Sequence, residues 1–192
     1  MLEKQSEKIV NILIKNKRIE QEQKEIIKYG IHALLTVIVN TMLLVCIGMI
    51  LNMFVEAIVL LIGFSCLRSY SGGYHCKTEI RCLIVSNSIF IIILAVCMLT
   101  PNDMKDIVGI MSMCVGAILL LRFAPVDTEN KQLDDAEYSV YKKRARVLLA
   151  MELGAILILK YLQFSELAYV LSLAIIVIGI MVWIQKCKNC RK

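Results

Sequence analysis

Polar and apolar positions fall in blocks along this chain. The first thirty residues mix lysines and glutamates with scattered isoleucines, and six apolar blocks follow at 31–51, 54–67, 83–99, 107–121, 147–159 and 167–184. A helix that crosses a hydrocarbon core takes about 20 apolar residues. The first block meets that length, and the third and sixth come close. The second and fifth are short, and each carries a carboxylate, Glu56 or Glu152. The pattern predicts an all-α, polytopic membrane protein with six hydrophobic helices, two of them short (54–67 and 147–159). Four spans with two partly inserted segments is the alternative that these lengths leave open. In residues 1–30, Ile9, Ile12, Leu13, Ile19, Ile26 and Ile27 come roughly to one side of a helix. That predicts an amphipathic interfacial helix or a solvated helical arm. The chain reads as one domain over 1–192, with the arm at 1–30, the bundle at 31–184 and a basic tail at 185–192.

Composition sharpens this picture. The chain is 58% apolar and 20% charged, with a mean hydropathy of +0.70, well away from an ordinary soluble domain. The net charge of +6 invites a nucleic-acid reading, which placement removes. Under strict alternation of six spans, 20 of the 22 Lys and Arg fall on one side, and only Lys105 and Lys160 fall on the other. Cationic loops stay in the cytosol. The expected topology therefore has both termini cytosolic in a multi-pass protein of the cell membrane, and nucleic acid is not expected as a partner. The hydrophilic start has no early apolar run, so no cleavable signal peptide is expected.

The chemistry concentrates in two segments of the cationic side. The first runs from Arg68 to Cys82 and contains the adjacent pair Gly72-Gly73, then His75 and Cys76. A thiol is a weak nucleophile until a base takes its proton, so cysteine and histidine beside a flexible turn make a nucleophile and its base. Cys76 adjoins His75, and neighbouring side chains on regular structure point apart. Cys82 lies seven residues on, about 10.5 Å along a continuous helix, too far for direct contact. A helix beginning near Thr78, with Glu79 in its first turn, would let the glycines fold His75 back over Cys82. On that reading Gly73→Ala harms activity more than folding.

Each feature also has a plainer reading. A cysteine at a membrane boundary is commonly structural, and Cys46, Cys66, Cys97 and Cys114 sit in apolar runs as small hydrophobes. His75, Cys76 and Cys82 lack zinc spacing, and Cys187-x-x-Cys190 has no partner pair, so no metal or other cofactor is expected. His32 reads as interfacial. The second segment, from Arg122 through Pro125, Asp127, Glu129 and Lys131, begins where Pro125 stops a helix. It is a solvated loop by default. It could also hold a peptide or orient His75 through a carboxylate.

With those residues in view, the chain resembles the accessory gene regulator B (AgrB) family of membrane cysteine endopeptidases that process quorum-sensing pro-peptides. The resemblance rests on Arg68, Gly73, His75 and Cys82 at the family's spacing, on the loop Ala124-Pro125 to Asn130-Lys131, and on the chain length and polar arm. It departs where Gln132 and Leu133 follow Lys131 and the family loop has a proline. The resemblance implies Cys82 as nucleophile and His75 as general base, with Arg68 and Gly73 shaping the loop. Glu79 and Asp127 are candidates for an orienting group. The implied partner is an AgrD-like pro-peptide whose C-terminal tail is released through a thioester, after which a thiol of the peptide closes a thiolactone, giving an autoinducing peptide. The family is also compatible with a homodimer. Two other classes remain at this point. One is a small transporter or export channel using Glu56, Glu152, Asn40 and His32. The other is a scaffold acting through its arm.

Overall fold

A computed structural model of the chain describes residues 2–16, 21–72, 79–127 and 134–190. Among them are seven helices: α1 Leu2–Lys15, α2 Lys24–Ile50, α3 Phe54–Ser71, α4 Glu79–Leu99, α5 Asn102–Phe123, α6 Asp135–Tyr161 and α7 Ser165–Asn189. A single 3-10 turn at Gln21–Gln23 precedes α2. The described residues are almost wholly helical, as the apolar blocks require. The chain divides into two compact units, Met1–Cys46 and Ile47–Lys192.

The first unit corrects the expected arm. It is not one helix over 1–30, because α1 ends at Lys15 and residues 24–30 already belong to α2. α1 also has a buried face that the apolar pattern did not single out. Ser6 and Val10 are fully buried, whereas Ile9, Ile12 and Ile26 are exposed. Residues 6 and 10 lie one turn apart on one face, and the polarity of Ser6 hid that face from a search for apolar periodicity.

The second unit is organised around α7. Of its apolar stretch 67% is buried, against 28% for α3 and 22% for α5. Its sequence is apolar on every side, the mark of an interior helix. It packs on α3, α4, α5 and α6, most extensively on α5. Small residues make that crossing close. Gly109, Ser112 and Gly116 are buried on α5, and Ala168, Ser172 and Gly179 on α7. A Cβ on Gly116 would stand 2.6 Å from the Cα of Ile176, so the backbones touch there. Lipid is as apolar as leucine, so close backbone packing, not hydrophobic burial, holds such helices together.

Between α3 and α6, Glu152 is buried. A Cβ on Gly63 would meet its Oε1 at 2.7 Å and Leu171 Cδ2 at 2.6 Å. The carboxyl thus fills the hollow left by a glycine. Polar links fasten the end of the unit that carries the α7 N-terminus. Lys105 Nζ lies 2.5 Å from Glu166 Oε1, and the Cys97 thiol donates to Glu166 Oε2 at 3.5 Å. Thr100 and Tyr169 share a hydrogen bond of 3.0 Å, and Lys160 pairs with Asp106.

Among the described residues, four helices are long and apolar enough to cross a membrane: α2, α3, α5 and α7. The two segments expected to be short differ in outcome, and α3, at 18 residues, is the shortest of α2 to α7. Block 54–67 extends to Ser71, and block 147–159 is the end of the 27-residue α6. The described apolar part of α4 is Leu83–Leu99, within a helix of 21 residues. Large apolar side chains such as Ile62, Ile92, Ile110, Ile118, Met151 and Ile158 are more than half exposed, a surface that needs lipid against it.

The α5–α7 crossing yields the first prediction. Gly116→Val forces two backbones apart and should destabilise the detergent-solubilised protein by about 1–3 kcal/mol. Gly30, with nothing within 4 Å of its Cβ direction, is the comparison. Gly30→Ala should leave stability unchanged or raise it by roughly 0.5–1 kcal/mol. Size-exclusion profiles after heating measure both.

Candidate functional site

The candidate site is built at the other end of the second unit, where α3 and α5 finish. Arg68 lies in the last turn of α3, half-buried, with its guanidinium 5.5 Å from the Phe64 ring centroid. Phe64 meets Phe90 of α4 edge-on at 5.0 Å. Arg68 therefore caps an aromatic contact that joins the two helices leading into and out of the Gly-His-Cys segment. Its carbonyl accepts the Gly72 N–H at 3.2 Å, which closes α3.

Gly72 is the conformational pivot. Its φ of +74° lies in the region that suits glycine. It forms an isolated parallel bridge with Val126, and the Val126 N–H donates to Ser71 O at 3.2 Å. A Cβ here would stand 2.5 Å from Val126 O. Val126 follows Pro125, which ends α5 as expected. Ala124 is already extended at φ −81°, ψ 146°, the conformation favoured before proline. The bridge joins the two segments that the sequence singled out separately.

Further contacts hold this corner. The Asn189 side chain at the end of α7 donates to Asp127 O at 2.9 Å. Arg144 of α6 lies 5.4 Å from the Tyr70 ring centroid, with Nη1 donating to Tyr70 OH at 3.5 Å. Tyr70 also meets Tyr141 with centroids 5.5 Å apart. Val126, Tyr70, Arg144 and Asn189 were missed by sequence reasoning. The adjacent glycines marked Gly72, but no periodicity announces a bridge to Val126 or a tyrosine under an arginine more than seventy residues away.

The candidate residues divide clearly. Arg68, Gly72 and Asp127 stand together at this corner through α3, the bridge and the segment after α5. Gly73, His75, Cys76, Glu129 and Lys131 lie outside the described residues, as do the side chains of Glu79 and Cys82. The backbone of Cys82 lies in the first described turn of α4, and the expected start near Thr78 lies outside the described residues. Cys97, fifteen residues on and about 22 Å along the axis, is at the Glu166 end, so α4 carries Cys82 toward the Gly72 end. Cys46, Cys66, Cys97, Cys114, Cys187 and Cys190 are free thiols.

A helical bundle with an apolar outer surface, a glycine-pivoted corner and a cysteine helix running toward that corner defines a multi-pass membrane protein with its candidate chemistry at one end. The family model of accessory gene regulator B, AgrB, matches residues 6–185, and the chain belongs to that family. It is 32% identical over 158 residues to an AgrB-like protein of Clostridium perfringens strain SM101, covering 77% of this chain and 67% of that one. It is 30% identical over 171 residues to AgrB-like protein 2 of Clostridium perfringens strain 13, covering 86% and 76%. An AgrB-like protein of Listeria monocytogenes strain CLIP80459 is 25% identical over 173 residues, covering 88% and 83%. No solved structure matches the chain.

The bridge is testable through its amide. Gly72→Ala puts a side chain into both a left-handed backbone and Val126 O, and the backbone part alone costs about 1–2 kcal/mol. The Val126 amide should then exchange with deuterium about tenfold faster or more, since 1.4 kcal/mol is tenfold. Hydrogen-exchange mass spectrometry of the peptide containing Val126 measures this, with α7 peptides as the internal reference.

Proposed function

We propose that this AgrB-family chain is a membrane-embedded cysteine endopeptidase. It removes the C-terminal tail of an AgrD-like pro-peptide at the cytosolic face of the cell membrane and promotes ring closure to an autoinducing peptide. The observation that carries the reading is the bridge between Gly72 and Val126, in a chain whose family match spans nearly its full length. That bridge sets the glycine turn leading to His75 beside the segment leading to Glu129 and Lys131.

In the proposed mechanism His75 takes the Cys82 proton, and the thiolate attacks the carbonyl carbon at the end of the future ring. The tetrahedral intermediate collapses as the imidazolium returns the proton to the leaving amine, which departs with the tail. The peptide remains as a thioester on Cys82. A thiol within the peptide, its proton taken by the neutral His75, then attacks that carbonyl, the Cys82 thiolate leaves and recovers the proton, and a thiolactone closes. One thioester replaces another, so excluding water matters more than driving force. Arg68 and Gly73 shape the loop, Glu79 or Asp127 orients His75, and Glu129 and Lys131 meet the substrate.

The proposed topology has six crossings and both termini in the cytosol, with one functional domain over 1–192. Charge placement supports it. The only two cations assigned to the outer side, Lys105 and Lys160, are both neutralised by carboxylates. The transporter reading draws no such support, since Glu152, one of its four polar candidates, is buried against Gly63 and Leu171.

Co-expression with a tagged AgrD-like pro-peptide tests the reading. Cys82→Ala and Cys82→Ser should each lower cleavage by about a thousandfold or more, with membrane insertion and size-exclusion profile unchanged. Gly73→Ala should reduce cleavage more than it reduces stability. Normal cleavage in both Cys82 variants, with or without loss of peptide release, would remove the peptidase reading.

A further inference from the structure

The corner also forms a groove that the peptidase reading does not use. It is lined by Tyr70 of α3 and by Val140, Lys143, Arg144, Val147 and Leu148 of α6, encloses ≈ 550 Å³ and is open along one side. Its composition is divided along its length. Lys143 and Arg144 are exposed, and among the described residues neither is ion-paired to a carboxylate. Beyond them the same face of α6 turns wholly apolar. Val147 is 51% exposed, Met151 65% and Ile158 61%. Residues 140, 144, 147, 151, 154 and 158 repeat at helical spacing, so they form one continuous stripe. Gly154 interrupts it with open space, having nothing within 4 Å of its Cβ direction. From Arg144 to Ile158 the stripe runs about 21 Å along the helix.

We infer that this groove binds an anionic phospholipid, with its phosphate on Lys143 and Arg144 and an acyl chain along Val147, Met151, Gly154 and Ile158. Two cations with no described carboxylate partner, above a long apolar track, match a ligand with an anionic head and an aliphatic chain. Basic pockets between membrane helices bind such head groups. An acidic peptide would use the cations but has no need of an apolar track continuing some 20 Å down a lipid-facing helix. Tyr70 provides the amphipathic ring that sits at head-group level, and Arg144 is held over it. Because Tyr70 is two residues from Gly72, an occupied groove braces the end of α3 that carries the pivot. The inference rests on the second unit lying in a bilayer and not on the peptidase chemistry.

The full chain, purified in mild detergent, is exchanged with phosphatidylglycerol or with phosphatidylcholine carrying identical acyl chains, and retained lipid is read by native mass spectrometry. Wild type should retain phosphatidylglycerol with a preference of about tenfold or more, since two interfacial cations contribute. Combined Lys143→Gln and Arg144→Gln should reduce that preference to about twofold or less, at an unchanged size-exclusion profile. Arg144 also stacks on Tyr70, so the single Lys143→Gln change, at an exposed side chain, serves as the second variant and should lower the preference about threefold. Lys186→Gln with Lys188→Gln removes equal charge from the end of α7 and should leave it intact. Equal retention of both lipids by wild type, or equal loss in the α7 pair, overturns the inference. So does an acidic soluble peptide that binds wild type through Lys143 and Arg144 while phosphatidylglycerol is not retained. No peptide processing enters the readout, so its failure and that of the peptidase reading are separate results.

Discussion

Where α5 crosses α7, backbone meets backbone at Gly116 and Ile176, and the arrangement of the second unit depends on that contact. In lipid there is no hydrophobic gain from pressing one apolar helix on another, so dispersion between closely fitted surfaces has to hold the bundle. Small residues on both helices allow the approach. With α7 seated against α5, its remaining faces are free to receive α3, α4 and α6. Gly63 repeats the device on α3, receiving the Glu152 side chain where a Cβ would have excluded it. Because α7 is apolar on every side and carries small residues where helices cross, it can be packed on all its faces.

The two ends of this bundle carry different electrostatics. At the α7 N-terminus, Lys105 is buried against Glu166 and Lys160 pairs with Asp106, so charge there is consumed internally. At the opposite end, Lys143 and Arg144 stand open on α6 without a described carboxylate partner. Paired charges tie helices to one another, whereas exposed cations at a membrane boundary attract the anions that the surroundings supply. The candidate site sits at the second kind of end, beside a groove whose cations remain available. Structure-holding and ligand-holding charge are thus separated by the full length of the helices.

Much of the site was legible in the chain, for identifiable reasons. Gly72 was marked by its neighbour Gly73, and the positive φ it adopts is a local demand that only glycine meets easily. Pro125 ended α5 because the residue before a proline is forced out of the helical region. The arm was less legible. Ser6 lies on the buried face of α1, and a search for apolar periodicity passes over a buried serine. The length of α6 was also hidden, since its first three turns are charged and only its second half reads as membrane-embedded.

By itself the sequence determined the helical class, the membrane setting, the break at Pro125 and the short list around Cys82 and His75. Each is a local or compositional property, set by apolar run length, by allowed backbone angles or by which side chains can act as nucleophile and base. Only the tertiary structure decided that Ser71 and Gly72 pair with Val126, that Arg144 rests on Tyr70, and that α7 is the helix around which the second unit packs. Those pairings join residues some fifty to seventy-four positions apart. They depend on which helices can approach closely, and that is decided by the fit of two surfaces, which neither helix carries in its own periodicity.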